Sequence, residues 1–256
     1  MGSFSGNFYS EELKTTTRIN LILPDASNDV TPLLGGTPKL LFLLHGLGGN
    51  CDEWLRFSKI EYYAKKFNLI VVMPEAQRSF YCDYPAAPRY FHYVADELPQ
   101  LCEQWFALRR PREDCMIAGE SMGGYGALKT ALHFPERFAA AGIMSAVTDI
   151  VDKFSNDTFD KNMWQNIFGS PEETIANGND IFTLIEKVAL QSQKPDIIHF
   201  CGNEDFLLKD NHKLRDALER LKWQNYLYQE TPGSHSWDFW DRHIQDILKY
   251  FFKGDK

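Results

Sequence analysis

Ser121 stands in GESMGGYG, residues 119–126, between an apolar run that reads as a strand (EDCMIAGE) and a stretch with helical spacing (MGGYGALKTALHF). A serine hydroxyl is a weak nucleophile until a neighbouring imidazole accepts its proton. His235, in GSHSWDFW, is the candidate base, because imidazole titrates near neutrality. A carboxylate on the other ring nitrogen would fix the tautomer and stabilise the imidazolium. Asp205, in CGNEDF, suits that role by its place at a strand end, with Glu204 beside it and Asp149 after GIMSAV as rivals. The tetrahedral oxyanion needs two backbone N–H donors. Met122, the residue after the serine, would supply one, and Leu47, in the loop HGLGG, the other. Composition alone gives a G-x-S-x-G in roughly 6% of such chains, so the surrounding elements must carry the reading.

Those elements alternate. NFYSEELKT and TRINLILP read as two strands, followed by a polar loop. KLLFLLHG and NLIVVMP are near-continuous apolar runs of the kind found in strands buried on both faces. Between them CDEWLRFSKIEYYAKKF has helical spacing, with Trp54, Phe57, Ile60, Ala64 and Phe67 on one side. An aromatic loop, RSFYCDYPAAPRY, leads into a helix in which Pro99 should produce a kink. After the Ser121 junction come the strand RFAAAGIMSAV, an irregular helical region over 147–192, the strand DIIHFCGNED, a helix, the strand NYLYQE and a last helix after His235. Strands alternating with helices predict one α/β domain over 1–256, a mostly parallel sheet covered on both faces. Ligands in such sheets bind outside the carboxyl ends of the strands, where His45, Ser121 and Asp205 all fall. The chain order Ser, acid, His is that of α/β-hydrolases.

The whole chain narrows the function classes. A net charge of −8 without a run of lysine or arginine argues against nucleic acid or an anionic membrane as partner. Five cysteines without C-x-x-C spacing read as reduced thiols rather than as disulfides or a zinc site. No metal or cofactor is expected. The N-terminal stretch lacks an apolar signal core, and Gly6 breaks the myristoylation pattern. A cytoplasmic protein is expected, although a secreted chain with its leader removed would read the same. The expected partner is a small-molecule ester, and a homo-oligomer is allowed. His45 is expected to shape its glycine-rich loop, and His92, His133, His199, His212 and His243 to be structural.

Taken together, HGLGGN, CDEW, NLIVVMP, GESMGGYGALK, CGNEDF and GSHSWDFW resemble the tributyrin esterase branch of the putative-esterase, or esterase D-like, family over residues 8–250. The resemblance implies a serine carboxylesterase acting on short acyl esters, with Ser121, Asp205 and His235 as triad and Leu47 and Met122 at the oxyanion positions. The related S-formylglutathione hydrolases carry glycine-leucine-threonine-cysteine in the oxyanion loop. Here it is Gly46-Leu47-Gly48-Gly49, which speaks against a glutathione thioester. Phe154, Phe159, Trp164 and Phe168 are expected to wall a short acyl pocket, and Tyr81 and Tyr84 to narrow its entrance. Trp237 is a further candidate for substrate contact.

Overall fold

A computed structural model describes residues 2–24, 37–84, 88–156 and 161–253. Eight strands form one sheet: β1 Gly2–Ser10, β2 Thr15–Leu23, β3 Lys39–Leu44, β4 Leu69–Pro74, β5 Cys115–Glu120, β6 Ala140–Met144, β7 Asp196–Gly202 and β8 Tyr226–Thr231. Their order is β1-β2-β4-β3-β5-β6-β7-β8. β1 and β2 pair antiparallel, β2 pairs antiparallel with β4, and β4 through β8 are parallel. Every residue of β4, β5 and β6 is buried, which is why their sequences are apolar without alternation.

The helices follow in chain order: α1 Glu53–Phe57, α2 Ile60–Lys66, α3 Tyr90–His92, α4 Leu98–Phe106, α5 Met122–His133, α6 Ile150–Asn156, α7 Lys161–Phe168, α8 Pro171–Ala176, α9 Ile181–Ala189, α10 Leu208–Arg220 and α11 Trp237–Phe251. They divide the core into two layers. One contains Leu128 of α5, Leu184 of α9 and Leu214 of α10. The other contains Trp54 of α1, Ile60 of α2 and Ile244 of α11. β3 has β4 on one side and β5 on the other, so the strand order reverses there. That reversal opens a crevice at the carboxyl ends of β3 and β5.

Several local expectations need correction. The stretch after Cys51 is two short helices, α1 and α2, interrupted at Ser58, whose hydroxyl turns back to donate to the Trp54 carbonyl. Phe57, the last residue of α1, is exposed rather than on the buried side with Trp54, Ile60 and Ala64. The region 147–192 is helical and irregular as expected, its described residues forming four short helices, α6 to α9. Phe159 lies outside the described residues. Pro99 lies inside a continuous helical run, in which α3 passes through a π-helical turn over Tyr93–Glu97 directly into α4. The Ala95 carbonyl, whose i+4 donor Pro99 removes, accepts instead from the Arg137 guanidinium.

That pairing is testable. Arg137→Met keeps the aliphatic stem but strands the Ala95 carbonyl, and should lower unfolding stability by about 1–3 kcal/mol. In a Pro99→Ala background, where residue 99 regains its N–H, the same change should cost less. Equal costs in both backgrounds, measured by urea denaturation, would show that the guanidinium does not replace the missing donor.

Candidate active site

β5 delivers Ser121 at a sharp turn into α5. Ser121 has φ +53° and ψ −116°, a conformation that side-chain-bearing residues rarely adopt. The turn closes because two glycines let backbone meet backbone. A Cβ on Gly119 would overlap the Gly123 carbonyl group, and one on Gly123 would lie 2.5 Å from the Leu44 carbonyl oxygen. The Ser121 N–H donates to Met144 O (2.9 Å), and its carbonyl accepts from Tyr125 N (3.1 Å) and Val147 N (3.3 Å). The elbow is therefore fixed at both backbone groups, and the side chain is left for chemistry.

His235 reaches that side chain from the loop between β8 and α11. Its Nε2 accepts from Ser121 Oγ at 3.0 Å, and its Nδ1 donates to the Asp205 carboxylate at 2.9 and 3.1 Å. Asp205 follows β7, its side chain is fully buried, and it also accepts from Leu207 N at 2.8 Å. Burial would raise its pKa, but the His235 contacts, the Ser145 hydroxyl and the Leu207 amide together hold it below the ordinary value. The carboxylate is thus kept charged in a dry position. Its rivals lie elsewhere. Asp149 pairs with Lys213 at 2.7 Å and accepts from Asp152 N in the first turn of α6, and Glu204 is exposed.

Ser145 escaped the sequence reading. It is fully buried with φ +49°, accepts from Trp240 Nε1 at 3.1 Å and donates to Asp205. Trp240 also stands edge-on to the His235 ring, 5.0 Å between centroids at 89°. Trp240 closes the motif GSHSWDFW, whereas Ser145 belongs to none, and only its position at the end of β6 could have pointed to it.

Ser121 and His235 open onto a cavity of about 460 Å³. Leu47, Phe80, Val147, Met163, Trp164 and Leu207 supply its apolar wall, with Lys153 and Asn156 as polar members. Phe206, immediately after Asp205, is 75% exposed at the same cavity and lies 4.5 Å from the His235 ring. Of the expected substrate contacts only Trp164 is in this lining. Tyr81 is fully buried behind it, its hydroxyl donating to His45 O at 2.8 Å. Tyr84 lines a separate cavity with Phe91, His133 and Phe168. Trp237 packs on Trp54, Phe57 and Trp240 in the layer below. Phe154 packs against the core rather than lining the cavity.

Leu47 and Met122 flank the serine. Leu47 lines the cavity, and Met122 opens α5, where first-turn amides have no intrahelical carbonyl and the helix dipole favours negative charge. The loop bearing Leu47 is firmly held. His45, buried and with its pKa lowered by that burial, donates from Nδ1 to Gly46 O (2.9 Å) and accepts at Nε2 from Ala76 N (3.0 Å). Both of its ring nitrogens are committed to backbone groups, one in this loop and one after β4, so it has none to spare for the serine. The arrangement as a whole can remove a proton from Ser121 and receive negative charge beside it.

A family model described as putative esterase matches residues 10–251. The acetyl esterase of Caldicellulosiruptor saccharolyticus is 32% identical over 260 residues, covering 96% of this chain and 97% of that protein. Among solved structures, the substrate-bound fluorophosphonate-binding serine hydrolase F of Staphylococcus aureus matches with a TM-score of 0.86 at 30% identity over 98% of both chains. The S-formylglutathione hydrolase apoenzyme of the same organism matches at 0.84 and 29%, again over 98% of both.

A serine-directed organophosphate should label the chain stoichiometrically at Ser121. Asp205→Asn should slow that labelling by orders of magnitude, since the wrong tautomer costs on the order of 10⁴ in a model triad. Asp149→Asn should label as fast as the wild type. The opposite ranking, read by intact-protein mass spectrometry, would move the acid to the end of β6.

Proposed function

This chain belongs to the putative esterase family of α/β-hydrolases and is a carboxylic ester hydrolase, and from that premise we propose that it cleaves short-chain acyl esters through an acyl-enzyme on Ser121. HGLGGN and GESMGGYGALK support its placement in the tributyrin esterase branch. The observation that carries the reading is the continuous relay from Ser121 through His235 to Asp205 at a largely apolar cavity. Ser121 Oγ attacks the ester carbonyl carbon as His235 Nε2 takes its proton, and Asp205 stabilises the imidazolium. The N–H groups of Leu47 and Met122 receive the oxyanion. Collapse breaks the ester bond, and His235 passes the proton to the departing alcohol. Water then repeats the sequence on the acyl-enzyme, returning the acid and the free serine. The exposed face of Phe206 beside His235 is available to the alcohol part of the ester, which leaves from that side.

A second reading, a thioesterase of S-formylglutathione hydrolase type or an acyltransferase on the same triad, is favoured by the likeness to the staphylococcal enzyme. The loop Gly46-Leu47-Gly48-Gly49 speaks against it. Faster turnover of S-formylglutathione than of p-nitrophenyl acetate would reverse the choice.

Acyl length provides the test. Each methylene gains about 0.8 kcal/mol only while apolar room remains to bury it. Trp164 and Phe80, 5.0 Å apart, supply bulk in the cavity wall. On p-nitrophenyl esters, kcat/KM should be highest from acetate to butyrate and drop sharply by octanoate, and Ser121→Ala should abolish turnover. A maximum at dodecanoate would indicate a long channel and a lipase.

A further inference from the structure

Glu120, the residue before Ser121, has no part in the relay, yet it is 2% exposed beneath the oxyanion loop. The face alternation of β5 turns it away from α5, into the layer of α1 and α11 where Met116 and Ala118 also point. Its carboxyl fills the space under Gly46: a Cβ there would lie 2.5 Å from Oε2. The Gly46 amide donates to it. Glu53 of α1 does the same at the other end of the loop, where a Cβ on Gly49 would overlap its carboxylate. The segment Gly46–Gly49, which carries Leu47, therefore rests on two acids.

We propose that Glu120 is a positioning residue that supports the oxyanion loop as a neutral acid, so that loss of its proton displaces Leu47 from Ser121 and slows the chemical step. The proposal rests on the assignment of Leu47 as an oxyanion donor. A buried carboxylate is tolerated only when paired, and the charged group facing Glu120 is another acid, Glu53. The remaining neighbours offer little relief. Arg56 favours the charged form of Glu53 while Glu75 opposes it, and Glu75 in turn lies 3.7 Å from His45 Nε2. Tyr81 is a buried phenol that itself feels Glu120 and Glu75. Burial first, and then the charge of Glu53, push the Glu120 carboxyl up to about 8, with the Gly46 amide opposing. Above that pH a second negative charge sits under the loop and repels Glu53. Oxyanion contacts tighten in the transition state, so the damage should fall on kcat rather than KM.

The experiment compares kcat and KM for p-nitrophenyl acetate on both sides of pH 8 in wild type, Glu120→Gln and Glu120→Ala. Wild-type kcat should fall reversibly as pH rises through about 8, with KM nearly constant. Glu120→Gln, which mimics the neutral acid, should keep wild-type kcat at neutral pH and lack that fall. Glu120→Ala, with the support removed, should lose kcat at every pH, by up to about 10²-fold. Melting temperature gives an independent reading of the same proton. With the folded pKa raised, stability is present below the ordinary value of 4.5 and declines as pH rises towards about 8, so the wild type should lose ground to Glu120→Gln across that window. A parallel alkaline fall in wild type and Glu120→Gln, or a wild-type kcat that stays flat through pH 8, would overturn the proposal. If the esterase reading itself were wrong, wild-type turnover would be absent or would survive Ser121→Ala, a result independent of Glu120.

Discussion

The close approach of α5 to the sheet is the constraint on which the rest of the site depends. Gly119 and Gly123 meet backbone to backbone, and Gly123 also abuts the end of β3. That contact forces Ser121 into its unfavourable dihedrals, with its hydroxyl at the cavity it shares with His235. It also brings the first turn of α5 against the end of β3, from which the loop bearing Leu47 departs to line the same cavity as Ser121. Strain of this kind costs of order 1–3 kcal/mol and persists only where surrounding structure over-determines it. Here the Met144, Tyr125 and Val147 backbone bonds do so.

Around the elbow, polarity is distributed unevenly. Asp205 is buried but well supplied with donors, so it remains an anion and orients His235. Glu120, one residue from Ser121, is equally enclosed and has chiefly the Gly46 amide and another acid for company. Two carboxyl groups at the ends of β5 and β7, with β6 between them, are thus driven to opposite protonation preferences by their surroundings. The structure separates an acid that must hold charge from one that must not.

Much of this was legible in the sequence, and the failures have physical reasons. Strands β3 to β7 declared themselves because burial on both faces demands unbroken apolar runs, and Ser121, Asp205 and His235 could be paired because each closes a strand-end connection. Tyr81, Tyr84 and Trp237 were misplaced because no periodicity governs an irregular loop. Gln77, Phe80 and Tyr81 all take positive φ, and the resulting turns bring Phe80 to the cavity while sending Tyr81 behind it. Trp237 opens α11, and its contacts with Trp54 and Phe57 place it in the layer beneath the relay. Ser145 was invisible because its role depends on the register of β6 beside β5 and β7, which tertiary pairing alone establishes.

The two halves of the relay are separated by 114 residues of chain, and His235 arrives only after β8 has paired with β7. In chain order, β3 to β6, which shape and hold the elbow, all precede the base, so they are synthesised first. Closing so long a loop carries an entropic cost that late contacts must offset, and non-local sheet pairing is slow. A chain that stopped short of the β8–α11 connection would carry a shaped serine with no base, so hydrolytic competence requires the last strand and helix to have docked beside β7.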